Sequence, residues 1–540
     1  AGQRPALLHR SGGAFVTVSW QQLASDTRRL AAALSHLGVA RGDRVAQISE
    51  NRYEWIVSDL AIQISGAIHV PLHATLSGAQ VVQQIADCGA RLAIVSGAEQ
   101  IEKLAGMAAQ LDAHLQLLTV EDCPTPPGLP RAGRWWDLID RTTEEAGVAV
   151  QQEALDHVIA DDIATILYTS GTTGEPKGVM LSHANLVSNA RATVAAVGVV
   201  EDDLRLSFLP WSHVFARTCD LYTWLASGTR LAIAEGRDQI LANCAELKPT
   251  LLNGVPYFFE KVYRAVAEQD GLATAGTVQK LLGGQMRFCC SGGAALPLHV
   301  AKWFQQQQVT LVEGYGLTET SPVISVGTAT ASSMGTVGRP LPGVEVRIAD
   351  DGEILTRGPH VMQGYYHRPR ATEEVLRDGW LHTGDLGQLD EEGFLKITGR
   401  KKEMLVLATG KNVAPAAIEG LLIEDPLILQ TMVVGDGCNF LAALIVPDPD
   451  ALRAALVRKR IDVASREEAL GHPEVRALYE TAISRQLAKV SSDEQVRRFC
   501  LLERGFSIEQ GELTPTLKLR RSVIRANFAP AIAEMYRPTS

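Results

Sequence analysis

The chain has 540 residues, 46 % of them hydrophobic and 21 % charged, the balance of an ordinary soluble globular protein and not of a disordered or fibrous one. At roughly 100 to 200 residues per domain, that length accommodates about three or four compact units. With 51 Lys+Arg against 61 Asp+Glu the net charge is −10 and no long basic run occurs, which argues against a nucleic-acid partner, because neutralising phosphates needs a concentrated basic face.

Helical and strand patterns alternate over the first 120 residues. Ser19 and Gln22 form a capping-box-like start to a helix with apolar positions Leu23, Leu30, Leu34 and Leu37, and Gly38 stops it. A strand is predicted over 44–48, a helix through 81–85, and strands over 92–95 and 115–120. Such β-α-β alternation predicts parallel sheet covered by helices on both faces. The Pro-rich stretch 123–130 reads as a loop, and the glutamines at 305–308 are too few for low complexity. From about Gly335 to Thr398 the pattern changes to short strands, over 344–348 and 353–356, around an Asp351-Gly352 turn. After Gly399-Arg400-Lys401-Lys402 a fresh α/β pattern begins, with strands over 432–434 and 441–446 and amphipathic helices beyond Pro449.

The expected organisation is α/β: an N-terminal domain over 1–400 and a small α+β C-terminal domain over 401–540. The larger part divides into two doubly wound α/β subdomains, about 1–160 and 161–334, and a β-rich subdomain over 335–400. Eight cysteines, Cys88, Cys123, Cys219, Cys244, Cys289, Cys290, Cys438 and Cys500, show neither C-x-x-C nor zinc spacing and read as reduced thiols of a cytoplasmic chain. No apolar run approaches the roughly 18 residues that cross a bilayer, and no signal-peptide pattern opens the sequence.

The strongest local signal follows the strand predicted over 163–167: Tyr168-Thr-Ser-Gly-Thr-Thr-Gly-Glu-Pro-Lys-Gly-Val179. Thr169, Ser170, Gly171, Thr172, Thr173, Gly174 and Lys177 offer backbone N–H groups, hydroxyls and a cation, the set that surrounds a polyphosphate. It is not G-x-x-x-x-G-K-[ST], because Gly171 and Gly174 are three apart and Pro176 precedes Lys177 where glycine is required. No G-x-S-x-G elbow, H-E-x-x-H helix or G-x-G-x-x-G fingerprint occurs; Gly314-Tyr-Gly316 is followed by Glu319 where the last glycine should stand. Hydrolase, zincin and dehydrogenase readings fall.

The string resembles the signature of the adenylate-forming enzymes, the superfamily of acyl-CoA synthetases, firefly-type luciferases and nonribosomal adenylation domains. Further matching segments are Leu209-Pro-Trp-Ser-His-Val-Phe215, Ser291-Gly-Gly-Ala-Ala-Leu-Pro297, Gly314-Tyr-Gly-Leu-Thr-Glu-Thr320, Thr383-Gly-Asp385, Ile397-Thr-Gly-Arg400 and Leu513-Thr-Pro-Thr-Leu-Lys518. Leu517 before Lys518, where much of the superfamily has glycine, and Thr409-Gly-Lys-Asn-Val-Ala-Pro415 are most similar to the long-chain fatty acyl-CoA synthetase branch.

The resemblance implies an ATP- and Mg²⁺-dependent ligase that joins a fatty acid to the α-phosphate of ATP, releases pyrophosphate, and transfers the acyl group to coenzyme A. It implies that Lys518 is the adenylation lysine, that Thr318 touches phosphate and Glu319 holds Mg²⁺, and that Asp385 accepts from the ribose hydroxyls. Arg400 would reach the ribose or α-phosphate, Gly292, Gly293, Ala294 and Tyr315 would form the adenine slot with Gly316 also binding the nucleotide, and His213 would line the passage between the acyl and thiol sites. His213 by itself reads first as a satisfied core histidine, and only the resemblance sets the passage reading level with it; the aromatic run Asn253 to Phe259 reads equally as tunnel lining or as core. A mobile C-terminal domain, hinged at Lys401 or Lys402, would present Lys518 for the first half-reaction and the turn with Gly410 and Lys411 for the second. Alternatives are an acyl-adenylate ligase serving a carrier protein, a ligase for another hydrophobic acid, and a binding module without catalysis. Membrane contact is expected to be weak and peripheral at most.

Overall fold

A computed structural model describes residues 2–124, 128, 130–169, 176–267, 276–514 and 518–537. Short apolar strands with side chains alternating between two faces explain the first sheet. On the strand Arg44–Ile48, Val45 packs with Leu92, Ile94 and Leu118, while Ala46 and Ile48 pack with Ala93, Val95 and Leu117 on the opposite face. Both faces must therefore be covered. Trp20–His36 and Tyr53–Ile64 cover one, and Gly78–Cys88 and Ala98–Ala105 the other.

The eight strands of this sheet run, from one edge, Gly364–Tyr365, Lys177–Ser182, Ile163–Thr169, Ile68–Leu72, Arg44–Ile48, Leu92–Val95, Gln116–Thr119 and Arg131–Arg134, with parallel pairing from Ile163–Thr169 onward. A second sheet of nine strands includes Leu204–Ser207, Arg230–Ile233, Leu251–Gly254, Phe288–Ser291, Leu311–Gly316 and Val323–Val326. One apolar cluster contains Val45 and Ile94 of the first sheet and Leu7, Leu231 and Ile233 of the second, so the two sheets share a middle layer of helices. Phe259, Val262, Val300 and Phe304 cover the outer face of the second sheet, completing five layers.

The predicted division at residue 160 does not hold. Pro5–Ser11 and Ala14–Ser19 belong to the second sheet, through parallel pairing of Leu7 with Leu231, whereas Ile163–Thr169 and Lys177–Ser182 complete the first. Periodicity marks a strand but not its partner, and here the free edge of Arg230–Ile233 takes the N-terminal hairpin. The capping box at Ser19 is also half formed: its hydroxyl accepts from the Gln22 N–H, but the Gln22 side chain donates to Asp26 instead.

The β-rich part is a five-stranded sheet in which Trp380–Leu389 pairs with Leu395–Arg400, and its register sets Asp385 opposite Arg400. Beyond it, Ile428–Val434, Leu441–Pro447 and Val496–Leu501 form a three-stranded sheet. Pro415–Leu422, Pro449–Lys459 and Pro473–Gln486 pack on one face of it, and Arg521–Asn527 and Ala529–Met535 on the other. The cysteines are all unpaired, and among the described residues no helix is long and apolar enough to cross a membrane.

Candidate functional site

A cavity of about 2860 Å³ opens between the ends of the strands in the second sheet, the β-rich sheet and the C-terminal part of the chain. Thr169, Lys177, His213, Gly292, Gly293, Ala294, Tyr315, Gly316, Thr318, Glu319, Asp385, Arg400 and Lys518 all line it. Ser170, Gly171, Thr172, Thr173 and Gly174 lie outside the described residues. Gly410 and Lys411 do not reach the cavity: they occupy an exposed turn between Leu405–Val406 and Asn412–Val413. Lys518 thus lines the cavity while Gly410 and Lys411 do not.

Asp385 is the best-held group in the cluster. Its carboxylate is buried, accepts from the Tyr315 hydroxyl at 2.8 Å and pairs with Arg400 Nε at 2.8 Å. Burial, then the adjacent Asp385 charge, pushes the Tyr315 phenol well above its usual value, so it remains a donor. Lys518 closes the cavity from the other side. Its N–H donates to Thr514 Oγ1 at 3.0 Å and its carbonyl accepts from the Thr514 N–H at 2.9 Å, which ties Lys518 to Thr514. The ammonium is reached by the cavity's solvent but crowded by protein; burial and then Arg400 lower its pKa, against the pull of Asp385, Glu403 and Glu319.

Glu319 sits on the single turn Thr318–Thr320. Its carboxylate accepts from the Tyr365 hydroxyl at 2.8 Å, and Lys177 lies over the Tyr365 ring, 5.0 Å from its centroid. Gly316 is compulsory here, because a Cβ would fall 1.7 Å from the Pro322 carbonyl oxygen. Gly293 takes a left-handed φ of +86° with open space around it, which leaves the backbone bare towards the cavity. Among the described residues no three His, Cys, Asp or Glu side chains converge into a metal cage, so Glu319 offers a lone carboxylate, a donor set suited to Mg²⁺ shared with substrate phosphates and water.

His213 is brought to the cavity, with its ring 6.2 Å from that of His73. Its Nδ1 accepts from the Phe215 N–H at 3.2 Å, and burial first, then His73 and Lys518, push its pKa down to about 3. The neutral ring therefore carries its proton on Nε2. His73, its pKa pushed down by burial to about 4 and its ring therefore neutral, lies with Nδ1 at 2.7 Å from Ser212 Oγ. Of the run from Asn253 to Phe259, only Asn253 lines the cavity, whereas Phe258 and Phe259 pack in the core with Phe304 and Tyr257 is exposed.

Sequence reasoning missed several groups. Tyr365 holds Glu319 from an unremarkable Gly-Tyr dipeptide that completes the edge of the first sheet. Glu313, whose carboxylate accepts from the Leu296 N–H at 3.1 Å, is raised by burial to about 7. Beneath His213, the helical stretch widens to a π-turn over Arg217–Tyr222. Arg217 there is buried against Asp59, His69 and Thr165, and Asp220 accepts from Ser207 and Asn253. A charged pair three residues apart inside an apolar run was the available signal, since a buried charge requires a partner. From the Asp220 side, Arg205, Cys219 and Cys290 face an arm of the cavity otherwise lined by Val197, Val199, Phe288, Val323 and Val326.

Comparison with known proteins gives a consistent picture. The description "AMP-binding enzyme" matches residues 1–366, and "AMP-binding enzyme C-terminal domain" matches residues 402–540. Long-chain-fatty-acid--CoA ligase FadD15 of Mycobacterium bovis is 36% identical over 97% of this chain and 93% of its own. Long chain acyl-CoA synthetase 6, peroxisomal, of Arabidopsis thaliana is 30% identical over 97% of this chain and 82% of its own. Among solved structures, the anthranilate CoA ligase AuaEII in complex with anthranoyl-AMP superposes with a TM-score of 0.79 at 21% identity, covering 98% of this chain and 95% of that one, a likeness of fold.

Proposed function

Because this chain belongs to the AMP-binding enzyme family, we propose that it is an ATP-dependent acid–thiol ligase that converts a long-chain fatty acid to its coenzyme A thioester. In the first half-reaction a carboxylate oxygen attacks the α-phosphorus of ATP and pyrophosphate leaves. In the second, the coenzyme A thiol attacks the acyl carbonyl carbon, AMP leaves and the thiol proton passes to water or a nearby base. The carrier-protein alternative is not favoured, since the two relatives above, each matched over 97% of this chain, are named as a CoA ligase and an acyl-CoA synthetase.

The first step brings anion to anion. At 4 Å and an effective dielectric of about 20, each unit-charge pair costs about 4 kcal/mol, so cations must stand between carboxylate and triphosphate. The observation that carries the proposal is that Lys518, Arg400, Asp385 and Glu319, drawn from separate regions of the chain, face one another in one cavity. Lys518 bridges carboxylate and α-phosphate, and Arg400, oriented by Asp385, binds the ribose–phosphate end of the nucleotide. Asp385 accepts from the ribose hydroxyls and Tyr315 flanks the base beside the bare backbone of Gly292, Gly293 and Ala294. Thr169, Lys177 and Thr318 bind phosphate oxygens, as would Ser170 to Gly174 between them. Glu319 is the residue that would hold Mg²⁺, which would supply positive charge against the triphosphate.

The acyl chain lies in the arm lined by Val197, Val199, Phe288, Val323 and Val326. Between half-reactions the C-terminal domain, residues 401–540, turns about Lys401 and Lys402, withdraws Lys518 and brings Gly410 and Lys411 to the thiol entrance. Pyrophosphate release measured across saturated acids of increasing length, with and without coenzyme A, tests the whole reading. Turnover should peak at long chains and need coenzyme A for sustained cycling. A single burst indifferent to coenzyme A would overturn the thiol acceptor, and no release with any acid would overturn the activity.

A further inference from the structure

Lys518 reaches the cavity only while the C-terminal part of the chain rests where it does, so the contacts that seat it govern the first half-reaction. One such contact is built around a helix that lacks a cap of its own. Leu298–Gln306 begins directly after the Gly292-to-Pro297 loop, and its N-cap position is Pro297, which supplies no side-chain acceptor for the first N–H groups. The missing acceptor arrives from the other side of the boundary. Glu424, just past the helix Pro415–Leu422, accepts from the His299 N–H at 2.9 Å through Oε2 and from the Leu298 N–H through Oε1. The same Oε2 lies 2.7 Å from His299 Nδ1.

Burial works against the Glu424 charge, but His299 and the two backbone donors overcome it and hold the carboxyl below its ordinary range. A second pair reinforces the seat: Arg264 on the helix Pro256–Ala267 contacts Asp448, which caps the helix Pro449–Lys459 through its other oxygen. The two N-terminal helices are locked to each other, Tyr263 packing edge-on against both His299 and Trp303. Glu260 and Arg264 complete the charged surroundings of Glu424 and His299.

We propose that Glu424 is a positioning residue for adenylation: by capping Leu298–Gln306 and pairing with His299 it latches the C-terminal domain in the orientation that holds Lys518 in the cavity, and the latch must open before thioester formation. This rests on the two-step ligase reading above. The latch also ties the adenine-slot loop to the domain that supplies the lysine, because the capped helix starts where that loop ends. Replacing Glu424 by alanine exposes the helix donors and strands His299, and charge-assisted bonds of this kind shift an equilibrium by on the order of 10-fold.

The test uses the full chain and its Glu424→Ala, Glu424→Gln and Arg264→Ala variants in three measurements. Single-turnover pyrophosphate release with ATP, Mg²⁺ and palmitate should fall about 10-fold in Glu424→Ala and less in Glu424→Gln, which keeps one acceptor. Thiolysis of preformed palmitoyl adenylate by coenzyme A should stay unchanged or rise. Tryptic cleavage after Lys401 and Lys402, followed by mass spectrometry without any substrate, should accelerate by a similar factor in Glu424→Ala and in Arg264→Ala. Equal loss in both half-reactions, or unchanged adenylation in an active protein, would overturn the latch, as would unchanged cleavage. A wild-type chain that releases no pyrophosphate with any acid would instead overturn the ligase reading, and the cleavage measurement would still decide the latch.

Discussion

Replacing Lys518 with alanine removes a cation from a place where Arg400 already faces Asp385, Glu403 and Glu319. The remaining field is negative, and two further anions must enter it. A bridging ammonium at 4 Å from either anion is worth about 4 kcal/mol at an effective dielectric of about 20, and the solvent that reaches Lys518 reduces this to about 3 kcal/mol. Adenylation in Lys518→Ala should therefore fall by about 10²-fold, measured as single-turnover pyrophosphate release. Thiolysis of preformed acyl adenylate should persist, because the proposed rotation of the C-terminal domain withdraws the lysine before that step. Its lowered pKa adds a pH signature: wild-type adenylation loses the Lys518 proton, and hence rate, at a lower alkaline pH than an ordinary lysine would, and Lys518→Arg moves that limb upward. Equal loss in both half-reactions, or an alkaline limb indifferent to the substitution, would refute the bridging role.

Other substitutions test the surroundings. Asp385→Asn breaks the Arg400 pair and removes a charged acceptor, so the KM for ATP should rise about 10- to 100-fold in the pyrophosphate assay; an unchanged KM would count against ribose binding. Glu313 has a folded pKa raised to about 7, so the folded chain binds the extra proton between the ordinary carboxyl range and pH 7, and stability falls as pH rises through that window. Melting curves should show Glu313→Gln losing less stability than wild type between pH 5.5 and 8.5, and parallel behaviour would refute the assignment. Arg217→Leu leaves Asp59 buried without its main counter-charge and should destabilise the chain by about 3 to 5 kcal/mol in thermal or denaturant unfolding, part of it recovered by adding Asp59→Asn. Gly316→Ala places a methyl into the Pro322 carbonyl and should abolish pyrophosphate release or folded yield; full activity would contradict the turn geometry.

What the sequence determined by itself is local chemistry and local periodicity. The strands Arg44–Ile48 and Leu92–Val95 were readable to the residue, because runs of only four or five mostly apolar residues are too short for a helix and suit a strand buried on both faces. The motif strings, through the resemblance they carry, named Lys177, Tyr315, Glu319, Asp385, Arg400 and Lys518 among the residues that line the cavity. Tertiary structure alone decided the rest. Which sheet receives Pro5–Ser11 depends on an open edge at Arg230–Ile233, more than 200 positions away, and no periodicity encodes a partner at that distance. Tyr365 beneath Glu319, Asp59 beside Arg217 and Glu424 over Leu298–Gln306 are likewise pairings between remote segments. A polar residue in an apolar run announces that it must be satisfied, but only packing chooses the group that satisfies it. The same holds for Gly410 and Lys411: their motif placed them in the machinery, and the seating of the C-terminal part, set by contacts such as Glu424 with His299, put them outside the cavity while Lys518 is in.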